Sequence, residues 1–420
     1  MRPLLGLAAR SALNRRFVLA LIVLSIALST FLLLGIERLR NDVRENFSEA
    51  VSGTDLIVGA RTGSVQLLLY SVFRIGNATN NIRWSSVQEL AKYRSVAWVV
   101  PISLGDSHRG FAVVGTTPDY FQHFQYGEHQ PLAMAQGRGF EGVFETVLGA
   151  EVARRLGYKL GDAIILSHGD GAMAANDHAD KPFKVVGILA PTGTPVDRSV
   201  HISLQAMEAI HLDWVAGTPL PGMAVTAEQA LQQDLTPKSV TAVLVGLKSR
   251  AAVFGMQRYI AEFRAEPLMA ILPGVALDEL WEVVGVGEQG LMLMSALVSL
   301  VSLAGLMAVI MAGLNERRRE LAILRSVGAG PLQMLLLLAL EGGLVTLCGV
   351  ALGWLTCELS VWALGPWVQT HYGLVLHGRV PASQEWLLMG AVLLGGWLAS
   401  LVPGYRAYRL SLVDGLAPRV

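Results

Sequence analysis

Charge is scarce in this sequence: only 16% of its 420 residues are Asp, Glu, Lys or Arg, where a soluble globular chain carries about 25%. The shortfall is concentrated near the N-terminus and in the last third, which excludes a wholly water-soluble protein. A basic surplus is also missing, since 33 basic residues face 33 acidic ones. Nucleic acid is therefore not expected as a partner. Cysteine is limited to Cys348 and Cys357, both in an apolar segment, so no disulfide framework holds the polar part of the chain. Nor is there a G-x-x-x-x-G-K-[ST] loop to cradle a nucleotide's phosphates. Dinucleotide fingerprints, nucleophile elbows and zinc-protease motifs are absent as well.

What the chain has instead is long apolar runs. Phe17 to Ile36 is twenty residues without a charge, enough at about 1.5 Å per residue to cross the roughly 30 Å hydrocarbon core. Arg10, Arg15 and Arg16 precede it, as in a signal peptide. The run is long for one, however, and ends in Leu33-Leu-Gly-Ile-Glu-Arg38 rather than a small-x-small site, so an uncleaved anchor is expected. Three further spans are predicted at about Gly290–Leu314, Met334–Thr356 and Trp386–Val402. The third span contains Glu341, and an ionisable residue there faces the protein interior, where a structural ion pair is expected. Gly349 and Gly353 on the same span permit close helix packing.

Arginine placement orients these spans. Arg2, Arg10, Arg15 and Arg16 precede the first, Arg317, Arg318, Arg319 and Arg325 lie between the second and third, and Arg406, Arg409 and Arg419 follow the fourth. By the positive-inside rule both termini and the 315–333 loop are cytoplasmic. Residues 38–285 and 364–385 are then outside, and all nine histidines fall there. Four parts result: 1–37, cytoplasmic N-terminus and first span; 38–285, an extracytoplasmic domain; 286–403, three spans with their loop; 404–420, a cytoplasmic tail. The expected fold class is an α-helical membrane protein of four transmembrane helices with a large α+β extracytoplasmic domain inserted between helices 1 and 2.

Within that domain, β-branched runs predict strands at Asp55–Gly59, Ala97–Ile102, Gly110–Val114, Ala163–Leu166, Phe183–Ile188 and Val240–Leu247. Helical patterns intervene at Trp84–Tyr93, Glu151–Leu156, Leu204–Ile210 and Ala251–Arg264. Between two predicted strands, Ser167–Asp180 holds His168, Asp170, His178 and Asp180, imidazoles and carboxylates of the kind that ligate Zn²⁺. The spacing matches no fixed zinc pattern, and a hairpin loop of turn-forming residues accounts for the same composition.

In the 315–333 loop, Leu321, Leu324 and Val327 recur at helical spacing among arginines and Glu320, a short amphipathic helix suited to docking a cytoplasmic partner. Glu316-Arg317-Arg318-Arg319-Glu320-Leu321, followed by Gly328-Ala329, resembles the coupling loop of the MacB/LolC/FtsX-type permeases of ABC transporters. The tail from Pro403 to Leu416 is similar to that family's ending, with Leu412 where proline is usual and Asp414 for glutamate. In the outer domain Val113–Phe121, Gly137-Arg138, Val147–Gly149, Gly161-Asp162 and Phe183–Ile188 follow in the MacB-like order.

This resemblance implies a non-enzymatic permease subunit. ATP and Mg would be bound by a separate cytoplasmic ATPase, in two copies. Glu316, Arg319, Glu320, Leu321, Leu324 and Arg325 would contact it. A second permease chain would complete a homodimer, and a periplasmic binding or adaptor protein is an expected further partner. The substrate would be hydrophobic, peptide-like or metal-related. FtsX-like control of a periplasmic enzyme, without cargo, is the alternative. Gln66–Tyr70 and Arg74–Thr79, in the stretch Asp55–Asn81, resemble a MacB-like subgroup associated with zinc uptake.

Overall fold

The computed structural model describes residues 16–50, 52–169, 177–215, 218–219, 225–316, 326, 328–372, 376, 378 and 380–409. It divides into two compact units, one of residues Met1–Asp42, Gly285–Trp367 and Leu376–Val420, the other of Val43–Val284 and Val368–Val375.

Four helices in the described residues are long and apolar enough to cross a membrane: Phe17–Ser48, Pro273–Ala312, Pro331–Gln369 and Ser383–Arg406. The mixed α/β part lies between the first two in chain order. Leu19, Ile26 and Leu34 of the first helix pack with Leu306, Ile310, Leu338 and Met389, while Phe17, Leu21, Leu24 and Leu28 are exposed, as lipid-facing positions must be. Gly349 and Gly353 set the closeness of this packing. A Cβ on Gly349 would lie 2.7 Å from Ile26, and one on Gly353 2.6 Å from the Ala27 carbonyl oxygen. Arg38 donates from Nη1 to Glu358 at 2.8 Å and from Nη2 to Glu385 at 3.1 Å, an ion-pair triad that the hydropathy pattern did not reveal. Glu341 is buried.

The second unit holds two main sheets. A four-stranded antiparallel sheet runs in the order Leu268–Ile271, Leu56–Ala60, Ala242–Leu247, Val96–Ile102. The larger, mixed sheet runs Ala163–Ile164, Phe183–Leu189, Glu145–Leu148, Ser199–Ser203, Phe111–Thr116, Asp106–His108, Ser167–His168, with Met134–Gly137 also paired to Phe183–Leu189. Its first and last strands are separated in sequence only by Ile165 and Leu166. Three residue steps span at most about 11 Å, so the sheet must curl until its two edges nearly meet. Phe111, Val113, Leu148, Ile164, Leu166, Phe183, Val185 and Val200 fill its core. The seam where the edges approach carries the polar cluster described next.

Candidate metal centre

Strand register brings the first two members together. In the antiparallel pair at the sheet edge, His168 lies directly opposite Asp106, and directly opposed side chains share one face. His178 arrives by a return of the chain: Asp177 forms a bridge with Ser167, and the His178 N–H donates to the Leu166 carbonyl at 2.8 Å. His211 caps the C-terminal end of the Leu204–Ile210 helix, whose N-terminus is capped by the Ser203 hydroxyl accepting from the Ala206 N–H.

One ligand atom from each of Asp106, His168, His178 and His211 lies within 4.8 Å of every other. His168 Nδ1 is 3.1 Å from Asp106 Oδ1 and 3.1 Å from His211 Nε2. Asp106 Oδ1 is 3.4 Å from His211 Nε2 and 3.8 Å from His178 Nε2. Around a tetrahedral ion with bonds of about 2.0–2.1 Å, neighbouring ligand atoms stand roughly 3.3 Å apart. The cluster has nearly that edge length. The His211 ring is close to perpendicular to the rings of His168 and His178, at 78° and 84°.

The outer contacts suit metal ligation too. His211 Nδ1–H donates to the Met207 carbonyl at 2.8 Å, which leaves the Nε2 lone pair facing the cluster. Lys181, fully buried, donates to both carboxylate oxygens of Asp213 at 3.0 Å. That pair ties the His178 segment to the turn bearing His211. Trp214 walls the site, its ring centroid 4.5 Å from that of His178.

Both ring nitrogens of His178 and Oδ2 of Asp106 are buried without a hydrogen-bond partner, an arrangement that costs roughly 1–3 kcal/mol per group unless something occupies it. Burial would raise the Asp106 pKa, but the three imidazoles gathered around it hold it far below the usual carboxylate range. For His211, burial opposes protonation and the Asp106 carboxylate prevails, raising it. The site is thus an anionic pocket of nitrogen and oxygen donors, the set favoured by zinc-class ions. Asp106 and His178 are fully buried, whereas the side chains of His168 and His211 are 32% and 27% exposed, which leaves an entry for an ion.

Of the residues singled out by sequence, His168 and His178 come together here. Asp180 does not join them: its carboxylate takes a hydrogen bond from Lys181 at 2.7 Å, because the next residue offers a buried cation. Asp170 lies outside the described residues, as do Arg319, Glu320, Leu321, Leu324 and Arg325 of the coupling loop. Glu316 ends the long helix Pro273–Glu316. Sequence reasoning missed Asp106 and His211. The D-x-H pattern Asp106-Ser107-His108 was a faint signal for the first. His108 itself is satisfied, Nδ1–H donating to Ile165 at 2.6 Å and Nε2 meeting the Tyr158 hydroxyl at 3.0 Å.

Comparison with known proteins follows the same division of the chain. The model of the MacB-like periplasmic core domain matches residues 19–259, and that of the FtsX-like permease C-terminal region matches residues 292–412. Among solved structures, the periplasmic region of MacB from Actinobacillus actinomycetemcomitans is 12% identical, with 55% of this chain and 94% of that one covered and a TM-score of 0.33. The extracellular domain of the noncanonic ABC-type transporter YknZ from Gram-positive bacteria is 13% identical, covering 52% of this chain and 99% of that one, with a TM-score of 0.30. No curated protein matches the chain.

Proposed function

Because this chain belongs to the MacB/FtsX-type permeases of ABC transporters, we propose that the species it handles outside the inner membrane is a divalent transition-metal ion of the zinc class. The observation that supports this reading is the cluster of Asp106, His168, His178 and His211, with its near-tetrahedral spacing and its unsatisfied buried donors. The family supplies the rest of the scheme. A cytoplasmic ATPase is implied as partner, and in our reading it docks on the 315–333 loop with both termini of this chain on the same side. Among the helices that contribute residues to both units are Arg16–Glu49 and Pro273–Glu316. At about 1.5 Å per residue they reach roughly 50 and 65 Å, well beyond the bilayer core. They would carry the ATP-driven motion to the metal-binding unit, in a dimer of two such chains.

The metal-binding step rests on this chain's own groups. Asp106 supplies the charge that draws the cation in, His178 and Asp106 form the buried floor, and His168 and His211 form the accessible rim. Release requires only that His168 or His211 move away, since the other two are locked by packing. To test this, the metal-stripped full chain in detergent is titrated with Zn²⁺ against a chromogenic chelator. One equivalent should bind, at least about 100-fold more tightly than to the Asp106→Ala/His178→Ala variant. Equal affinity in the two proteins would remove metal from the proposed function.

A further inference from the structure

A second site stands apart from the metal cluster. A cavity of about 430 Å³ opens in the outer unit, lined by Phe47, Phe73, Ile75, Phe111 and Pro195, with Arg74 and Arg198 supplying positive charge. That volume falls within the range of small-molecule sites, about 300–1,000 Å³. Its walls are preorganised: Phe47 stacks on Phe73 with centroids 4.2 Å apart, and Trp281 braces Phe47 edge-on at 5.5 Å.

Arg74 is the unusual member. It terminates a five-residue π-helix, Leu69–Phe73, and adopts the left-handed backbone conformation at φ 59°. Short π-turns and such backbones recur at functional positions. Nε and Nη1 of its guanidinium are buried without a hydrogen-bond partner. Among the described residues no carboxylate stands within ion-pair distance of it. Its interacting neighbour is the Tyr120 phenol, itself fully buried and pushed up to about 12 by burial, hence neutral. Burial also draws the Arg74 pKa downward, the mark of a cation without a counter-ion. A void of about 10 Å³ beneath Arg74 and Tyr120 has room for one water and no anion. The missing negative charge therefore has to come from the larger cavity.

We propose that this cavity binds an amphipathic anion, a carboxylate or phosphate carrying an aliphatic or aromatic body, with its charged group on Arg74 and its body among Phe47, Phe73 and Phe111. An inorganic anion would satisfy the guanidinium and leave the aromatic wall wet. An uncharged apolar molecule would fill the cavity and leave the cation uncompensated.

The full chain, in nanodiscs of zwitterionic phosphatidylcholine, is unfolded thermally with octanoate, octyl phosphate, octanol or inorganic phosphate at equal concentrations. Octanoate or octyl phosphate should raise the midpoint in a concentration-dependent way, by about 5 °C near saturation. Octanol and inorganic phosphate should not. In Arg74→Met the shift should vanish, while the ligand-free midpoint stays unchanged or rises, because an uncompensated buried charge has been replaced by an apolar chain. An equal shift from octanol or from inorganic phosphate would overturn the amphiphile. No shift from either amphiphile, or an Arg74→Met protein that unfolds earlier or fails to fold, would make Arg74 a structural residue and overturn the site.

Discussion

Arg38 and Glu385, 347 positions apart in sequence, form a buried ion pair in the helical unit, Nη2 to Oε2 at 3.1 Å. Both side chains are all but inaccessible, at 2% and 0% exposure, and Glu358 completes the triad from a third helix. Removing the cation alone strands the buried Glu385 carboxylate, a loss of about 3–5 kcal/mol where such pairs have been broken. Arg38→Leu should therefore lower the thermal midpoint of the detergent-solubilised chain sharply. Arg38→Leu/Glu385→Leu should recover at least half of that loss, since it also removes the orphaned charge. Additive losses in the two single variants and the double would show that the pair is not coupled.

Lys181 offers a test of the candidate metal centre that leaves every proposed ligand in place. Its buried pair with Asp213 holds the His178 segment against the turn of His211. Disturbing such a supporting contact typically lowers metal affinity about 10–100-fold. Lys181→Met should weaken Zn²⁺ binding by that factor in the chelator competition while the stoichiometry stays at one. Affinity equal to the parent's would mean that the pair does not position the ligands.

His201 predicts how the mixed α/β unit responds to acid. It is fully buried against Tyr120 and Phe121, and burial, with the nearby Arg74 charge, lowers its pKa from 6.5 to about 3. Above pH 6.5 the ring is neutral in both folded and unfolded chains, so it contributes no pH dependence. Below that value the unfolded chain takes up a proton that the fold refuses, and stability falls until about pH 3. By pH 5 the loss amounts to roughly 2 kcal/mol. Denaturant unfolding at pH 7 and pH 5 should show this difference in the parent and a smaller one in His201→Leu. Identical pH slopes would exclude the histidine as its source.

The sequence disclosed the parts of this molecule that are written in local periodicity. The strand run at 55–59 and the helical run Leu204–Ile210 stand where alternation and spacing put them, within a residue or so. The four apolar runs likewise mark the four long helices. Their ends were harder to read, because the helix continues through Pro273–Gly290, where Asp278, Glu279, Glu282 and Glu288 interrupt the uncharged run. The candidate metal cluster was legible only by half. His168 and His178 stand ten residues apart, but Asp106 and His211 reach them through strand register and a helix end, from positions 62 and 43 residues distant from His168. Ser167–His168 is a two-residue strand, too short for any pattern to announce. Asp180 misled for the converse reason: nearness in sequence to His178 says nothing about Lys181, which claims its carboxylate.

The coupling loop gives the last prediction. The helix Pro273–Glu316 precedes the 317–330 stretch and the helix Pro331–Tyr372 follows it, so that stretch links two spans, and its sequence carries Leu321, Leu324 and Val327 at helical spacing. An apolar stripe ringed by arginines can be buried only by membrane surface or by a partner. A carboxylate in the middle of that stripe would be stranded in a dry interface, costing several kcal/mol and therefore a loss of affinity of at least about 100-fold. Leu324→Asp should leave the chain in the membrane at normal levels while the ATPase no longer co-purifies, whereas Arg318→Gln, a change outside the apolar spacing, should retain it. If the ATPase still co-purified in full with Leu324→Asp, its docking surface would have to be sought elsewhere than on this stripe.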